Sequence, residues 1–270
     1  MIRRLAVPTP MADIQAPILE TRNLTKDFGP FRAVDNVSIQ IRRGSITGLI
    51  GPNGAGKSTF FNVLTGVLAP TRGQVFLDGR DITGLAPDIL FTKRLARTFQ
   101  LPRPFKRMSV LENVMLAPLA QIGEGILGPF LNPAKMRAQE EEIRERALHL
   151  LEFVTLGKLV DQAAGKISGG QTKLLELARV LMGDPGVILL DEPAAGVNPT
   201  LTRILIERIE ELNRQGKTFV IIEHDMDFIM RHCDPIIALA EGAVVFQGTA
   251  AQAQASPILL DAYLGAQADG

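Results

Sequence analysis

Short apolar runs, separated by turn-forming residues, divide the chain into alternating predicted strands and helices. Ser45–Ile50, Gly186–Leu190 and Thr218–Ile222 are predominantly apolar, which is typical of strands buried on both faces of a sheet. Between the last two runs, Leu201–Asn213 repeats its apolar residues at helical spacing. Strands that alternate with helices predict an α/β fold with a mainly parallel sheet covered on both faces.

Shorter strand patterns flank these central runs on both sides. They alternate apolar and polar residues and are bounded by Asn, Gly and Pro. Asp78-Gly79 and Glu241-Gly242 are predicted turns, and the second pair lies between two strands of a hairpin. The flanking strands are predicted at Ile18–Arg22, Val34–Ile41, Gln74–Leu77, Ile236–Leu239 and Val244–Phe246.

Residues 101–181 interrupt this strand pattern and predict a helical insertion. Asn132 can cap a helix that has Pro133 in its first turn, and the acidic run Glu140–Glu142 predicts a solvated face of that helix. Residues 121–133 predict a loop without an assigned role. The predicted divisions are an N-terminal tail (1–17), a first part of the core (18–100), the helical insertion (101–181), a second part of the core (182–248) and a C-terminal tail (249–270).

The composition restricts the partners of the chain. Twenty-nine basic residues balance twenty-nine acidic ones, so no global field attracts nucleic acid, and we predict no nucleic-acid partner. The single cysteine, Cys233, excludes an internal disulfide and fits a reducing compartment. No apolar run reaches the ~20 residues that span a bilayer, and residues 1–17 lack the apolar segment of a secretory signal. A role at a membrane therefore requires partners.

The loop after the strand Ser45–Ile50 carries a phosphate-binding pattern. Residues 51–58 fit G-x-x-x-x-G-K-[ST] at every fixed position, and a predicted helix, Ser58–Leu68, follows. The glycines allow main-chain N–H groups to surround phosphate oxygens, and the helix start adds a positive dipole end. Lys57 supplies charge for the β- and γ-phosphates, and Ser58 supplies a hydroxyl for Mg²⁺. The predicted phosphate-binding residues are Gly51, Pro52, Asn53, Gly54, Ala55, Gly56, Lys57, Ser58 and Thr59.

An acid pair ends the strand Gly186–Leu190. Asp191 lies at the carboxyl end of this strand, where it can organise the Mg²⁺ shell through water. Glu192 follows directly and can polarise an attacking water as a general base. A phosphate loop and such a pair together predict nucleotide hydrolysis.

Three further segments have the order and separations of a known family. They are Gln100 after Arg97-Thr98-Phe99, the run Ser168–Gln171 (Ser-Gly-Gly-Gln), and His224. With the phosphate loop and the acid pair, they make residues 18–248 resemble the ATP-binding subunits of ABC transporters. The resemblance implies a P-loop NTPase (RecA-like) core with an antiparallel β subdomain and an inserted helical subdomain. It also implies ATP and Mg²⁺ as cofactors and an ATPase that works as a dimer.

The resemblance further implies a role for each motif. Phe28 would stack on adenine, and Gln100 would sense Mg²⁺ and the attacking water while touching a membrane subunit. Ser168, Gly169, Gly170 and Gln171 would cap the γ-phosphate held by a partner chain, because they open a predicted helix whose N–H groups can bind an anion. The implied catalytic residues are Lys57, Gln100, Glu192 and His224, and the implied metal-binding residues are Ser58, Gln100 and Asp191.

Longer segments resemble one group within this family. Arg97–Pro104, Glu192–Pro199, Ile222–Met226 and Asp261–Gly265 are similar to the ATPases of branched-chain amino acid importers, a group that also handles amides and urea. This chain resembles the longer of their two paralogues. The implied partners are a second ATPase chain, two membrane permeases and, indirectly, a periplasmic solute-binding protein. The implied location is cytoplasmic and peripheral, on the inner face of the bacterial plasma membrane.

Two alternatives stay open at the level of sequence. The first is the ATPase of a lipid or lipopolysaccharide exporter. Such ATPases normally carry Thr-Asp-His-Asn around the histidine that His224 matches, called the switch histidine, whereas this chain has Glu223-His224-Asp225-Met226. The second is a soluble ABC protein that acts on ribosomes or DNA, and one cassette with zero net charge argues against it. In addition, Ala195–Asn198 matches a segment of the family called the D-loop. It has Asn198 where the family usually has an aspartate, which leaves the role of this position open.

Overall fold

The computed structural model describes residues 16–98, 104–118, 133–256 and 259. Its strands are β1 (Pro17–Phe28), β2 (Phe31–Val37), β3 (Gln40–Arg42), β4 (Ile46–Ile50), β5 (Arg72–Leu77), β6 (Arg80–Asp81), β7 (Leu95–Arg97), β8 (Val187–Asp191), β9 (Thr218–Ile222), β10 (Ile236–Ala240) and β11 (Ala243–Gly248). Its helices are α1 (Lys57–Leu64), α2 (Pro87–Thr92), α3 (Val110–Met115), α4 (Pro133–Phe153), α5 (Gly169–Leu181), α6 (Pro199–Arg214), α7 (Met226–His232) and α8 (Ala250–Gln254).

A six-stranded sheet forms the centre of the molecule, in the order β11-β10-β4-β9-β8-β7. All neighbouring pairs are parallel except β10–β11. In β8, Ile188 packs into one hydrophobic cluster and Leu189 into a second cluster on the other face. Both faces are therefore covered, which explains why these strands are continuously apolar. The predicted α/β fold with a mainly parallel sheet is confirmed.

A second sheet is antiparallel and has the order β2-β1-β5-β6, with β3 paired to β1. The sequence predicted one strand, Val34–Ile41, where the structure has β2 and β3. The side chain of Thr21 explains the break, because its hydroxyl donates to the Val37 carbonyl and accepts from the Ile39 N–H. The Thr21 side chain of β1 thus binds the main chain between β2 and β3, where the regular pairing with β1 is interrupted. The implied antiparallel β subdomain is thus present.

Helices α3, α4 and α5 lie between β7 and β8 in the chain and pack on one another. The acidic run Glu140–Glu142 on α4 is exposed, as predicted. Asn132 and most of the predicted loop 121–133 lie outside the described residues. Among the helices that the structure describes, none is long and apolar enough to cross a membrane.

The predicted C-terminal tail starts directly after β11. Helix α8 begins after Thr249, whose side chain forms a reciprocal capping box with Gln252. The start of the predicted C-terminal tail is therefore helical.

Cys233, the only cysteine of the sequence, follows α7 and is buried in the core, where it is 3% exposed. Burial raises the pKa of this thiol to about 12.

Candidate functional site

The predicted phosphate loop lines a cavity of about 290 Å³ at the carboxyl end of β4. Gly56 has a φ of 93°, and a Cβ there would collide with the main-chain oxygen of Ala33. Glycine is thus required for this loop path, both for its conformation and for the close approach. Helix α1 begins directly after it, at Lys57, so its free N–H groups open towards the loop. The cavity is lined by Phe31, Ala33, Asn53, Gly54, Ala55, Gly56, Lys57, Ser58, Thr59, Glu192 and His224.

Lys57 is held inside this loop. Its ammonium donates to the carbonyl of Gly51 at 2.6 Å and to that of Pro52 at 2.9 Å. Burial lowers the pKa of Lys57, while the nearby carboxylates of Glu192 and Asp191 act in the opposite direction. An ammonium has three donors, so two hold the loop and one is left for a phosphate oxygen.

The Asp191 carboxylate lies at the end of β8 and is only 3% exposed. Its Oδ2 accepts from the Arg97 guanidinium at 2.6 Å, and a second guanidinium nitrogen donates to Asn62 at 2.5 Å. Arg97 therefore ties β7, β8 and α1 together. Asp191 Oδ1 is buried without a hydrogen-bond partner in the part of the chain that the structure describes. One oriented, unsatisfied oxygen, together with the exposed Ser58, fits the oxygen ligands and water shell of Mg²⁺.

Arg97→Met is expected to destabilise the fold. The substitution removes the cation beside a buried carboxylate, which costs about 3–5 kcal/mol of unfolding free energy. Urea denaturation measures this loss. The control is Arg94→Met, because Arg94 pairs with Asp184 at the surface and both side chains are 59% exposed. The control should change the unfolding free energy by less than about 1 kcal/mol. Equal losses in both variants would contradict the structural role of Arg97.

Glu192 and His224 line the cavity and lie in hydrogen-bond contact with each other. The Nε2 atom of His224 lies 2.9 Å from Oε1 of Glu192. The two residues follow the neighbouring parallel strands β8 and β9, which brings their side chains to the same edge of the sheet. Glu192 has a φ of 48°, an uncommon conformation for a residue with a side chain. His224, which the resemblance implies to be catalytic, is thus within hydrogen-bond reach of the proposed base, Glu192.

Glu223 is a further buried residue at this edge, and the sequence motifs assign it no role. It is 4% exposed, and its carboxylate accepts from the main-chain N–H of Ala194 at 2.7 Å and from that of His224 at 3.3 Å. Burial raises the pKa of Glu223. The side chain therefore connects the turn after Glu192 with the loop of His224. The sequence contains a signal for this role. Glu223 directly follows the buried apolar strand β9, so its carboxylate is also buried and accepts from nearby main-chain N–H groups.

Asn198 has a definite local role. Its side-chain oxygen accepts from the N–H of Leu201 at 3.0 Å and caps α6, with Pro199 in the first turn. Asparagine and aspartate are equally good at this cap. The departure from the usual D-loop residue therefore leaves the start of α6 intact.

The segment Ser168–Gln171 does not line the cavity of its own chain. Ser168 caps α5, and its side chain forms a reciprocal capping box with Gln171. A Cβ on Gly170 would approach the Leu201 side chain to 2.6 Å, so this glycine allows α5 to pack on α6. A Cβ on Gly169 would meet no described atom within 4 Å, apart from its chain neighbours and the backbone of its own helix. Local packing therefore does not explain Gly169.

The remaining predicted residues have different positions. Phe28 is 46% exposed and does not line the cavity, while the Lys26 ammonium lies 5.1 Å from its ring centroid. Phe31, its cross-strand neighbour, is 63% exposed and lines the cavity. No sequence motif points to Phe31, although it lies only three residues after Phe28, at the start of β2. Gln100 lies outside the described residues.

A separate cavity of about 370 Å³ lies in the helical insertion. It shares no residue with the phosphate-loop cavity, so it is not part of the site described above. Its lining is mainly apolar and comes from α3, from α4, and from Met108 and Leu116, which lie just outside the two ends of α3. The lining residues are Met108, Glu112, Met115, Leu116, Met136, Gln139, Glu140 and Ile143.

Comparison with known proteins identifies the family. A family model described as ABC transporter matches residues 34–195. The chain is 42% identical to the probable branched-chain amino acid transport ATP-binding protein LivG of Archaeoglobus fulgidus, over 93% of this chain and 96% of the relative. It is 40% identical to the high-affinity branched-chain amino acid transport ATP-binding protein BraF of Pseudomonas aeruginosa, over 92% of this chain and 98% of the relative.

Solved structures agree with this assignment. A nucleotide-free ATP-binding cassette from an ABC transporter matches with a TM-score of 0.80 and 40% identity, over 92% of this chain and 98% of that chain. A dimeric cassette in a post-hydrolysis state, bound to ADP and Pi, matches with a TM-score of 0.71 and 28% identity, over 86% of this chain and 98% of that chain. The chain therefore belongs to the ABC transporter family, as an ATP-binding subunit with ATPase activity.

Proposed function

We propose that the chain is the motor of an importer for branched-chain or related amino acids, and that each of its ATP sites is shared between two ATPase chains. The importer assignment is supported by the relatives, which are branched-chain amino acid transport ATP-binding proteins. They favour import over the alternative of a lipid exporter. The proposed partners are two permeases, contacted through the segment of Gln100, and a periplasmic binding protein that delivers the solute. The proposed location is the cytoplasmic face of the plasma membrane.

One observation carries the shared site. Gly169 is the first residue of α5, and glycine loses more backbone freedom on folding than any other residue. Outside its own helix and its chain neighbours, no described atom lies close enough to exclude a side chain at this position. A close approach from outside explains it, and the free N–H groups at this helix start suit an anion. We assign that anion as the γ-phosphate of an ATP bound to the phosphate loop of a second chain.

The residues of one chain then have separate tasks. The phosphate loop binds ATP, and Lys57 donates to its terminal phosphates. Ser58 and the buried Oδ1 of Asp191 would hold Mg²⁺ and its water shell, and the metal would neutralise charge on the phosphates. Glu192 accepts a proton from the attacking water, and His224 orients the Glu192 carboxylate. Because ATP meets both surfaces only in the closed dimer, ATP binding favours closure and hydrolysis reverses it.

Ser168→Arg is expected to stop hydrolysis without preventing ATP binding. The arginine side chain would fill the space in which the partner's phosphate is proposed to lie, while the phosphate loop of the same chain stays intact. We expect the ATP affinity of the monomer by calorimetry to change less than about twofold. Turnover should fall by about 100-fold or more, because the proposed donors stabilise the transition state.

The control for this variant is Thr249→Arg. Thr249 caps α8 with the same kind of capping box, so the control loses an equivalent cap away from the cavity. Its turnover should match that of the unchanged chain. Full activity in Ser168→Arg would rule out a shared site. Purification of the chain together with two permeases, and solute binding by the companion binding protein, would test the importer assignment separately.

A further inference from the structure

Lys173 connects the segment Ser168–Gln171, called the signature segment below, with the catalytic glutamate of the same chain, Glu192. It lies on α5, five residues after Ser168, which corresponds to roughly 7.5 Å along the helix axis. Its ammonium donates a hydrogen bond of 3.0 Å to the main-chain oxygen of Glu192. Helix α5 therefore has two roles. Its first turn faces away from the cavity of its own chain, while Lys173 binds the main chain of Glu192.

The main-chain oxygen of Glu192 belongs to a residue with an uncommon backbone conformation, so its hydrogen bonds help to hold that conformation. Glu192 has a left-handed φ of 48°, a conformation that persists only where the surroundings hold it. Its carbonyl accepts from the N–H of Ala195 at 3.2 Å in addition to Lys173, and its own N–H donates to Ile222 at 2.9 Å. The position of the Lys173 ammonium therefore bears directly on the main chain from which the catalytic carboxylate extends.

The surroundings of Lys173 differ from those of a solvated surface lysine. The side chain is about half buried, and burial lowers its pKa, while the carboxylates of Glu176, Glu223, Glu192 and Asp191 favour the charged form, in that order. A cation that donates to a carbonyl in such an environment forms a stronger bond than a neutral donor. The contact can therefore transmit a shift of α5 to Glu192.

We propose that Lys173 is a positioning residue that couples the two ATP sites of the dimer. When the signature segment of one chain closes on its partner's ATP, Lys173 brings Glu192 of the first chain into its hydrolytic position at that chain's own ATP. Hydrolysis at one site thus requires closure at the other. This inference rests on the shared site proposed above.

Lys173→Met tests the coupling, because methionine keeps most of the side-chain volume and removes the donor. The phosphate loop and the signature segment are unchanged, so ATP binding and dimer closure should persist. Turnover should fall by about tenfold or more, the loss expected for a charge-assisted hydrogen bond. As a result, an ATP-bound dimer should accumulate on size-exclusion chromatography with Mg-ATP. A lysine with a merely structural role would produce no such accumulation.

Two variants and one control complete the test. Lys173→Arg retains a cationic donor and should restore turnover to within about threefold of the unchanged chain. Lys173→Gln provides a second neutral substitution if the methionine variant does not fold. Lys158→Met removes an exposed lysine from the same insertion and should alter neither turnover nor dimer accumulation.

Unchanged turnover in both neutral variants would overturn the inference, and so would reduced turnover without accumulation of the dimer. The proposed function fails differently. In that case Ser168→Arg keeps full activity in the otherwise unchanged chain, whatever happens at Lys173.

Discussion

Glu192→Gln is expected to reduce ATP turnover by about 10²–10⁴-fold, the usual contribution of a general base. The amide keeps the size of the side chain and its contact distance to His224, but it cannot accept a proton from water. ATP binding should be unaffected, because Lys57 and the loop glycines are untouched. The closed dimer should therefore accumulate when Mg-ATP is added, and size-exclusion chromatography measures it together with a phosphate-release assay.

Glu241→Gln is the matched control for this substitution. Glu241 also has a left-handed backbone, with a φ of 49°, and lies exposed in the turn between β10 and β11. The same chemical change is made in the same backbone conformation, away from the acid pair. We expect normal turnover and no trapped dimer. If Glu192→Gln itself remains monomeric in Mg-ATP and turns over normally, Glu192 is not the base.

Lys57→Ala is expected to weaken nucleotide binding by about 100-fold, because charge-assisted hydrogen bonds to phosphate are lost. The ammonium also holds the carbonyls of Gly51 and Pro52, so the loop itself should loosen. Calorimetric titration with ATP measures the affinity, and circular dichroism at rising temperature shows whether the fold is kept.

Lys93→Ala provides the comparison, since Lys93 is an exposed lysine at the end of α2. Its removal should leave the affinity for ATP unchanged. An unaltered affinity in folded Lys57→Ala would exclude the phosphate-loop assignment, whereas loss of binding with an intact fold would support it.

The sequence predicted the parts of the fold that rest on local patterns. Thr218–Ile222 was predicted with its observed bounds, since an apolar run between turn residues marks a doubly covered strand. The division of Val34–Ile41 into two strands was not predictable, because it depends on the hydroxyl of Thr21 from a distant part of the chain. Contacts between a side chain and a distant main-chain segment leave no periodic signal.

In the candidate site, too, residues in local motifs were predictable, whereas contacts between distant residues were not. Motifs with fixed spacing indicated Lys57, Asp191, Glu192 and His224, and the structure brings these residues to one edge of the sheet. Arg97 received no role, because its pairing with Asp191 joins residues 94 positions apart. For Phe28, the resemblance implied contact with adenine, but Phe31 lines the cavity. Which ring meets the base depends on the geometry of the turn between them, and the Phe28 assignment stays a prediction.

The buried cysteine makes the shared site accessible to covalent trapping. At neutral pH a thiol with a pKa near 12 has almost no thiolate, the form that attacks maleimides and disulfides. Cys233 is also shielded from solvent by the core. Reporter cysteines can therefore be introduced into the signature segment and the phosphate loop without first replacing the native one. Bifunctional reagents would then join two chains wherever these surfaces meet, and Cys233 would stay unlabelled.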